Sequence, residues 1–312
     1  SFDFLETWKE EIDRLNENKE GRKYIYPNSL IEFCGKIKFL FGIGWRQVEG
    51  VLLTLKKWIP VPNVPSKSRI NERFNQLELD IEEGLVVEDS QNIAIDSSGL
   101  KINFSGQWIR DKHREKRPYL KLHVAVNTKT KQAVAMELTD DGIADICCAR
   151  KLILKSNKIS KVKKGFMDGA YDEIALWNWC EKRGIDPRIR LRKNARPHGL
   201  SERSKQAKRM RKIGMKAWKK ERGMGERSHV EGFYSVFKRR FGEFFWAKKI
   251  ENMIQEIKFK IILCNLLIVE NFYLSCGTEL IEQNIFIWLL ILKYWMLSRC
   301  LLKHILIAST EY

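Results

Sequence analysis

Along this chain the spacing of apolar residues is helical up to about residue 77 and turns to a period of two beyond the acidic stretch that follows, which points to a helical front followed by a domain built on strands. After the capping residues Asn28 and Ser29, the positions Leu30, Ile31, Phe33, Cys34, Ile37 and Phe41 recur at helical spacing until Gly42. Trp45, Val48, Val51, Leu52, Leu55, Trp58 and Ile59 mark a second helix, which Pro60, Pro62 and Pro65 stop. Ser66 or Ser68 can cap a third whose apolar face is Ile70, Phe74 and Leu77, leaving Lys67, Arg69 and Arg73 outward. Three short helices ending in a basic one suit a helix-turn-helix-like DNA-binding region; a helical packing domain with a solvated basic face has the same pattern.

From Glu78 to Asp89 the chain turns acidic, and beyond it the period is two. Asn92–Asp96 is an apolar run ending in an acid; Leu120, Leu122, Val124 and Val126 alternate, and Val134, Met136 and Leu138 alternate after a polar turn. A helical stretch over 143–154 leads to the strand ending at Asp168, and a second helix over 172–183 leads to a strand at 187–191. The order βββαβαβ predicts an α/β domain with a mixed sheet flanked by helices.

With 44% hydrophobic and 31% charged residues in 312, the composition is that of a globular protein with a sizeable core. Its net charge of +18 favours a polyanionic partner. The segment 188–222 carries fifteen basic residues against Glu202 and Glu221 and directly precedes the Glu231 helix, so it reads as a phosphate-binding insert, with Arg209, Arg211 and Lys212 among its candidate contacts. Trp218 can stack on a base or pack. Seven cysteines without a Cys-x-x-Cys pair indicate neither a disulfide framework nor a zinc ribbon and suit a reducing cytoplasm. The tail over 276–312 is apolar, but Lys293, Arg299, Lys303 and His304 interrupt it, which describes an amphipathic helix packed on the core or on a second subunit rather than a membrane span.

Two acids stand at strand ends, Asp96 in Ile-Asp-Ser-Ser-Gly and Asp168 in Met-Asp-Gly-Ala-Tyr-Asp. Glu231 lies four residues after Arg227 and seven before Lys238, so the three share one helical face. That arrangement fits a phosphate and metal site, and equally a surface ladder of ion pairs. Taken together these motifs resemble the DDE insertion-sequence transposases with a ribonuclease H-like core, in the branch whose third acid lies in a Tyr-x2-Arg-x3-Glu-x6-Lys signature. Arg227, Glu231 and Lys238 match that signature, whose tyrosine position is Met224 here; Asp96 and Asp168 match the first two acids. The resemblance also takes in Trp45–Gly50, Val61-Pro62 and Ser66–Phe74, which look like the helical end-binding region, and spans about 26 to 275.

The resemblance implies an enzyme that binds the terminal inverted repeats of its element, cleaves the ends and joins them to target DNA as a homodimer or higher multimer, bound to the nucleoid and without a small-molecule cofactor. Such displacement at phosphorus suits two Mg²⁺ ions, which take hard oxygen ligands, with Mn²⁺ expected to substitute. Asp96 would bridge them, Asp168 and Glu231 would hold one each, and Arg227 and Lys238 would pair with the DNA backbone or orient Glu231. Asp172, which shares a motif with Asp168, is the expected control, a position whose replacement should leave cleavage at least partly intact. The expected division is 1–85 for DNA binding and 90–275 for catalysis. The competing readings are an inactive transposase-derived DNA-binding protein and a structure-specific nuclease with the same core.

Overall fold

A computed structural model describes residues 3–102 and 119–275. The helical front forms α1 (Trp8–Asn16), α2 (Asn28–Phe41), α3 (Trp45–Leu55) and α4 (Lys67–Asn75). Ser66 caps α4, its hydroxyl accepting from Arg69 N, a bond of the kind that stabilises a helix by about 1 kcal/mol. The helix α1 precedes the three that the periodicity predicts, and it supports the first of them. Glu11 accepts hydrogen bonds from the Asn28 and Ser29 amides and from the Ser29 hydroxyl, so a carboxylate from one helix satisfies the free donors at the start of the next. Residues 56–66 separate α3 from α4, a connection longer than the three or four residues of a helix-turn-helix turn.

The strands follow in the expected order: β1 (Ser90–Lys101), β2 (Tyr119–Asn127), β3 (Ala133–Asp140), α5 (Ile146–Ile159), β4 (Lys161–Met167), α6 (Ile174–Glu181) and β5 (Asp186–Ile189). They form one sheet in the order β3-β2-β1-β4-β5, with β1 antiparallel to β2 and parallel to β4. This is the mixed sheet expected of a ribonuclease H-like core. Then come α7 (Glu202–Ile213), α8 (Met215–Glu221), α9 (Ser228–Phe241) and α10 (Ile250–Ser275).

Alternation along β1 divides the core. Ile93 and Ile95 face α5 and α6, packing with Leu152, Met167, Trp177 and, from α8, Trp218. Ala94 faces the other way, into a cluster with Val124, Phe166, four aromatics of α9 (Phe233, Tyr234, Phe237, Phe241) and Phe259 of α10. Ile31, Phe39, Phe74 and Leu77 of the helical front belong to that same cluster, so the front and the sheet bury apolar surface against each other. At the β3 edge the Asn265 side chain of α10 bonds both backbone groups of Ala133 (2.8 and 2.9 Å), taking the place of a further strand.

Part of the charge in 188–222 is taken up by the protein's own acids. Arg188 and Arg222 both pair with Asp186, at 2.6 and 2.9 Å, and Arg203 holds the fully buried Asp172 through two bonds of 2.7 Å. Arg209 pairs with Glu221 at 2.9 Å. Trp218 is 0% exposed and donates to Gln206, so it packs and offers no face to a base. The apolar tail expected over 276–312 lies outside the described residues. Among those residues no helix is long and apolar enough to cross a membrane.

Candidate active site

Strand register alone puts two of the acids together. Ala94 pairs with Phe166 and Ile95 with Met167 across the parallel β1–β4 ladder, so Asp96 and Asp168, one residue further on, project from neighbouring strands toward the face covered by α9. On α9, Val230, Phe233, Tyr234 and Phe237 are buried, which turns Glu231 to the rim beside them. The Tyr234 hydroxyl lies 3.0 Å from the Asp96 carbonyl oxygen and 2.7 Å from that of Leu122, tying the helix to β1 and β2 at the first acid. Sequence reasoning missed this tyrosine, although its position four residues after the apolar Val230 places it on the inward side of the helix.

Two of the three carboxylates share one partner, and the third turns to its own backbone. Asp96 Oδ1 accepts from the Ser97 amide at 2.9 Å, and Oδ2 from Arg227 Nη1 at 3.1 Å. Burial pushes the Asp96 pKa up; the Ser97 amide and Arg227 oppose this, while the charges of Asp168 and Glu231 add to the rise. Asp168 accepts from the Ala170 amide at 2.7 Å and so caps the tight turn Gly169–Tyr171. Arg227 donates its other nitrogen, Nη2, to Glu231. A single guanidinium therefore spans the first and third acids. Among the described residues no three His, Cys, Asp or Glu side chains are gathered closely enough to hold one metal ion, since Glu231 faces Arg227 and Asp168 faces its own turn.

The other candidate cations are placed less freely than expected. Lys238 is engaged by Glu243 at 3.3 Å. Arg69 pairs with Glu72 on the surface, Lys67 starts α4, and Lys212 is exposed near the end of α7. Arg73 corrects the outward expectation: it is 4% exposed, bonds the Tyr26 carbonyl and Asn28 Oδ1, and lies over the Tyr24 ring, because α4 turns this position toward α2. Arg211 donates to the Ala195 carbonyl. Two further cations that no sequence motif singles out lie beside the turn that follows Asp168. The Arg190 amide bonds the Met167 carbonyl at 3.0 Å, Arg192 Nε donates to the Gly169 carbonyl at 3.2 Å, and both residues are exposed where β5 ends beside Asp168. Their position after the strand paired with β4 was the available signal.

Met224, at the tyrosine position of the signature, is buried at the start of the 3-10 turn Met224–Arg227. The family model described as transposase DDE domain matches residues 88–265, a span that holds all three acids. The chain belongs to the transposase DDE domain family. A second model of the same description matches residues 1–105 of this transposase, so the helical front is covered as well. Among solved structures the transposase is similar to the piggyBac transposase synaptic complex with hairpin DNA, at 9% identity and a TM-score of 0.47, over 86% of this chain and 72% of that one. It is also similar to the Drosophila P element transposase strand transfer complex (10% identity, TM-score 0.37, 84% and 69% covered) and to the Mos1 strand transfer complex (10%, 0.28, 90% and 88%). At these values the likeness is one of outline.

Proposed function

We propose that this transposase cleaves the ends of its own element and joins them to target DNA, with Asp96, Asp168 and Glu231 as ligands for two Mg²⁺ ions. The observation that carries this is geometric: the β1–β4 register sets Asp96 and Asp168 on neighbouring strand ends, and one guanidinium bridges Asp96 and Glu231. Three hard carboxylate donors with water and phosphate to complete the shell suit Mg²⁺, and Mn²⁺ after it. Bound ions supply the charge that activates an attacking hydroxyl and supports the leaving oxygen.

The remaining work falls to the protein. Tyr234 and the β1–β4 register hold Asp96 and Asp168 in place, and Arg190 and Arg192 offer exposed donors to phosphates beside Asp168. We assign residues 1–85 to DNA binding and 90–275 to catalysis, with the active assembly a homodimer or higher multimer on double-stranded DNA. Lys67, Arg69, Arg209, Arg211 and Lys212 are surface cations of this interface, some released from their present partners by phosphate.

The test uses a labelled duplex carrying the repeat that flanks the gene, a target duplex and Mg²⁺. Asp96→Asn, Asp168→Asn and Glu231→Gln are each expected to lower cleavage by several orders of magnitude while a mobility shift of the end duplex survives. Cleavage by Asp96→Asn at the parental rate would refute the assignment. Cut strands without joined product would instead make the protein a nuclease.

A further inference from the structure

We propose that Arg227 is a gate on metal loading and that DNA opens it; this rests on reading Asp96 and Glu231 as metal ligands. The guanidinium is bonded to both carboxylates, 3.1 Å from Asp96 Oδ2 and in direct contact with Glu231 Oε1. It stands at the amino terminus of α9, where the exposed amides and the helix dipole disfavour a cation, so the carboxylates and not the helix hold it there. A divalent ion brought between these acids meets a positive charge a few ångströms away and cannot share them with it.

The chain is anchored on either side of Arg227. Arg222 is bonded to Asp186 and to the Pro187 carbonyl, and Met224 and Val230 are buried. The rearrangement is a rotation of one side chain. A displaced guanidinium at the rim of the acids finds its best new partner in a backbone phosphate, which it can bind through two parallel hydrogen bonds. DNA therefore draws Arg227 off the acids and favours the metal, and the metal drives Arg227 onto DNA; the two effects are equal in magnitude because they are one coupling. Without DNA the acids stay closed on the protein's own cation, which restrains metal-dependent hydrolysis away from a bound substrate.

The experiment measures Mn²⁺ binding to the full chain by electron paramagnetic resonance, first without DNA. Arg227→Gln is expected to bind Mn²⁺ about tenfold more tightly than the parent, in the usual range of such couplings. Arg239→Gln, which removes the same charge from α9 where its guanidinium lies on the Ser235 carbonyl, is expected to leave affinity within about twofold. Adding the end duplex should tighten Mn²⁺ binding several-fold more in the parent than in Arg227→Gln. Parental affinity in Arg227→Gln, or equal tightening in Arg239→Gln, overturns the gate. If Asp96→Asn leaves Mn²⁺ binding unchanged, it is the metal-site reading that fails. Arg227→Met, which keeps the aliphatic stem, replaces glutamine if circular dichroism shows that variant unfolded.

Discussion

Asp172 stands four residues from Asp168 in one motif, yet the two do opposite work. Asp168 lies at a strand end, whereas the Asp172 side chain is fully buried and accepts from Arg203 twice and from Trp177 Nε1. Asp172→Ala would leave the Arg203 guanidinium buried without its partner, which costs about 3–5 kcal/mol; urea unfolding should show that loss, and the residue is no neutral control for catalysis. Lys38 supplies a second prediction. Burial holds its pKa down to about 8, against Glu256, which raises it, and with Lys260, which lowers it further; its ammonium lies over the rings of Trp45, Trp246 and Phe39. Between about 8 and the ordinary lysine value the unfolded chain binds more protons than the fold, so this group makes stability rise with pH across that window. Lys38→Met should flatten the rise, measured as the difference between variant and parent in unfolding free energy at about pH 7.5, 9 and 10. At this scale the three acids were legible because each ends or flanks a periodic run. The partners of Arg73 and Arg203, and the Trp246 ring beneath Lys38, lie far off in sequence, and no local pattern announces them.

At the scale of elements, the periodicities predicted the three main helices of the front and every strand of the sheet, because amphipathic spacing reports which face is buried. They did not show that the basic segment folds into α7 and α8 around Trp218, since charge obscures a helix whose buried face is only Ser204, Ala207 and Met210. That folding divides its cations into two classes. Arg188, Arg203 and Arg222 hold the fold, while Lys208, Lys212, Lys216 and Lys220 are exposed on its surface. Replacing these four lysines by glutamine should flatten the slope of log affinity against log salt for duplex DNA by up to roughly 3 to 4, at about 0.9 for each phosphate contacted, with thermal stability nearly unchanged. An unaltered slope would mark them as solvated bystanders.

For the molecule as a whole, the acidic stretch over 78–89 separates two regions of sequence that share one cluster, although the front also packs a cluster of its own around Leu30, Val48, Leu52 and Ile70. Gly35 of α2 shows how closely they fit: a Cβ there would meet the Phe74 and Phe259 rings at 2.8 Å. Gly35→Ala should therefore destabilise front and sheet together, in one thermal transition, by the roughly 1–3 kcal/mol typical of overpacking; two separated transitions would contradict a shared core. The ring of Phe74 on α4 and that of Phe259 on α10 stand 5.1 Å apart, and α10 packs in the same cluster as Ala94, two residues before Asp96. The helix proposed to read DNA and the acid proposed to cut it are thus mounted on a single frame. Such a frame acts as a caliper: an element could drift in the letters of its ends as the front helices change, but the number of base pairs between the letters read and the bond broken would be held by the protein.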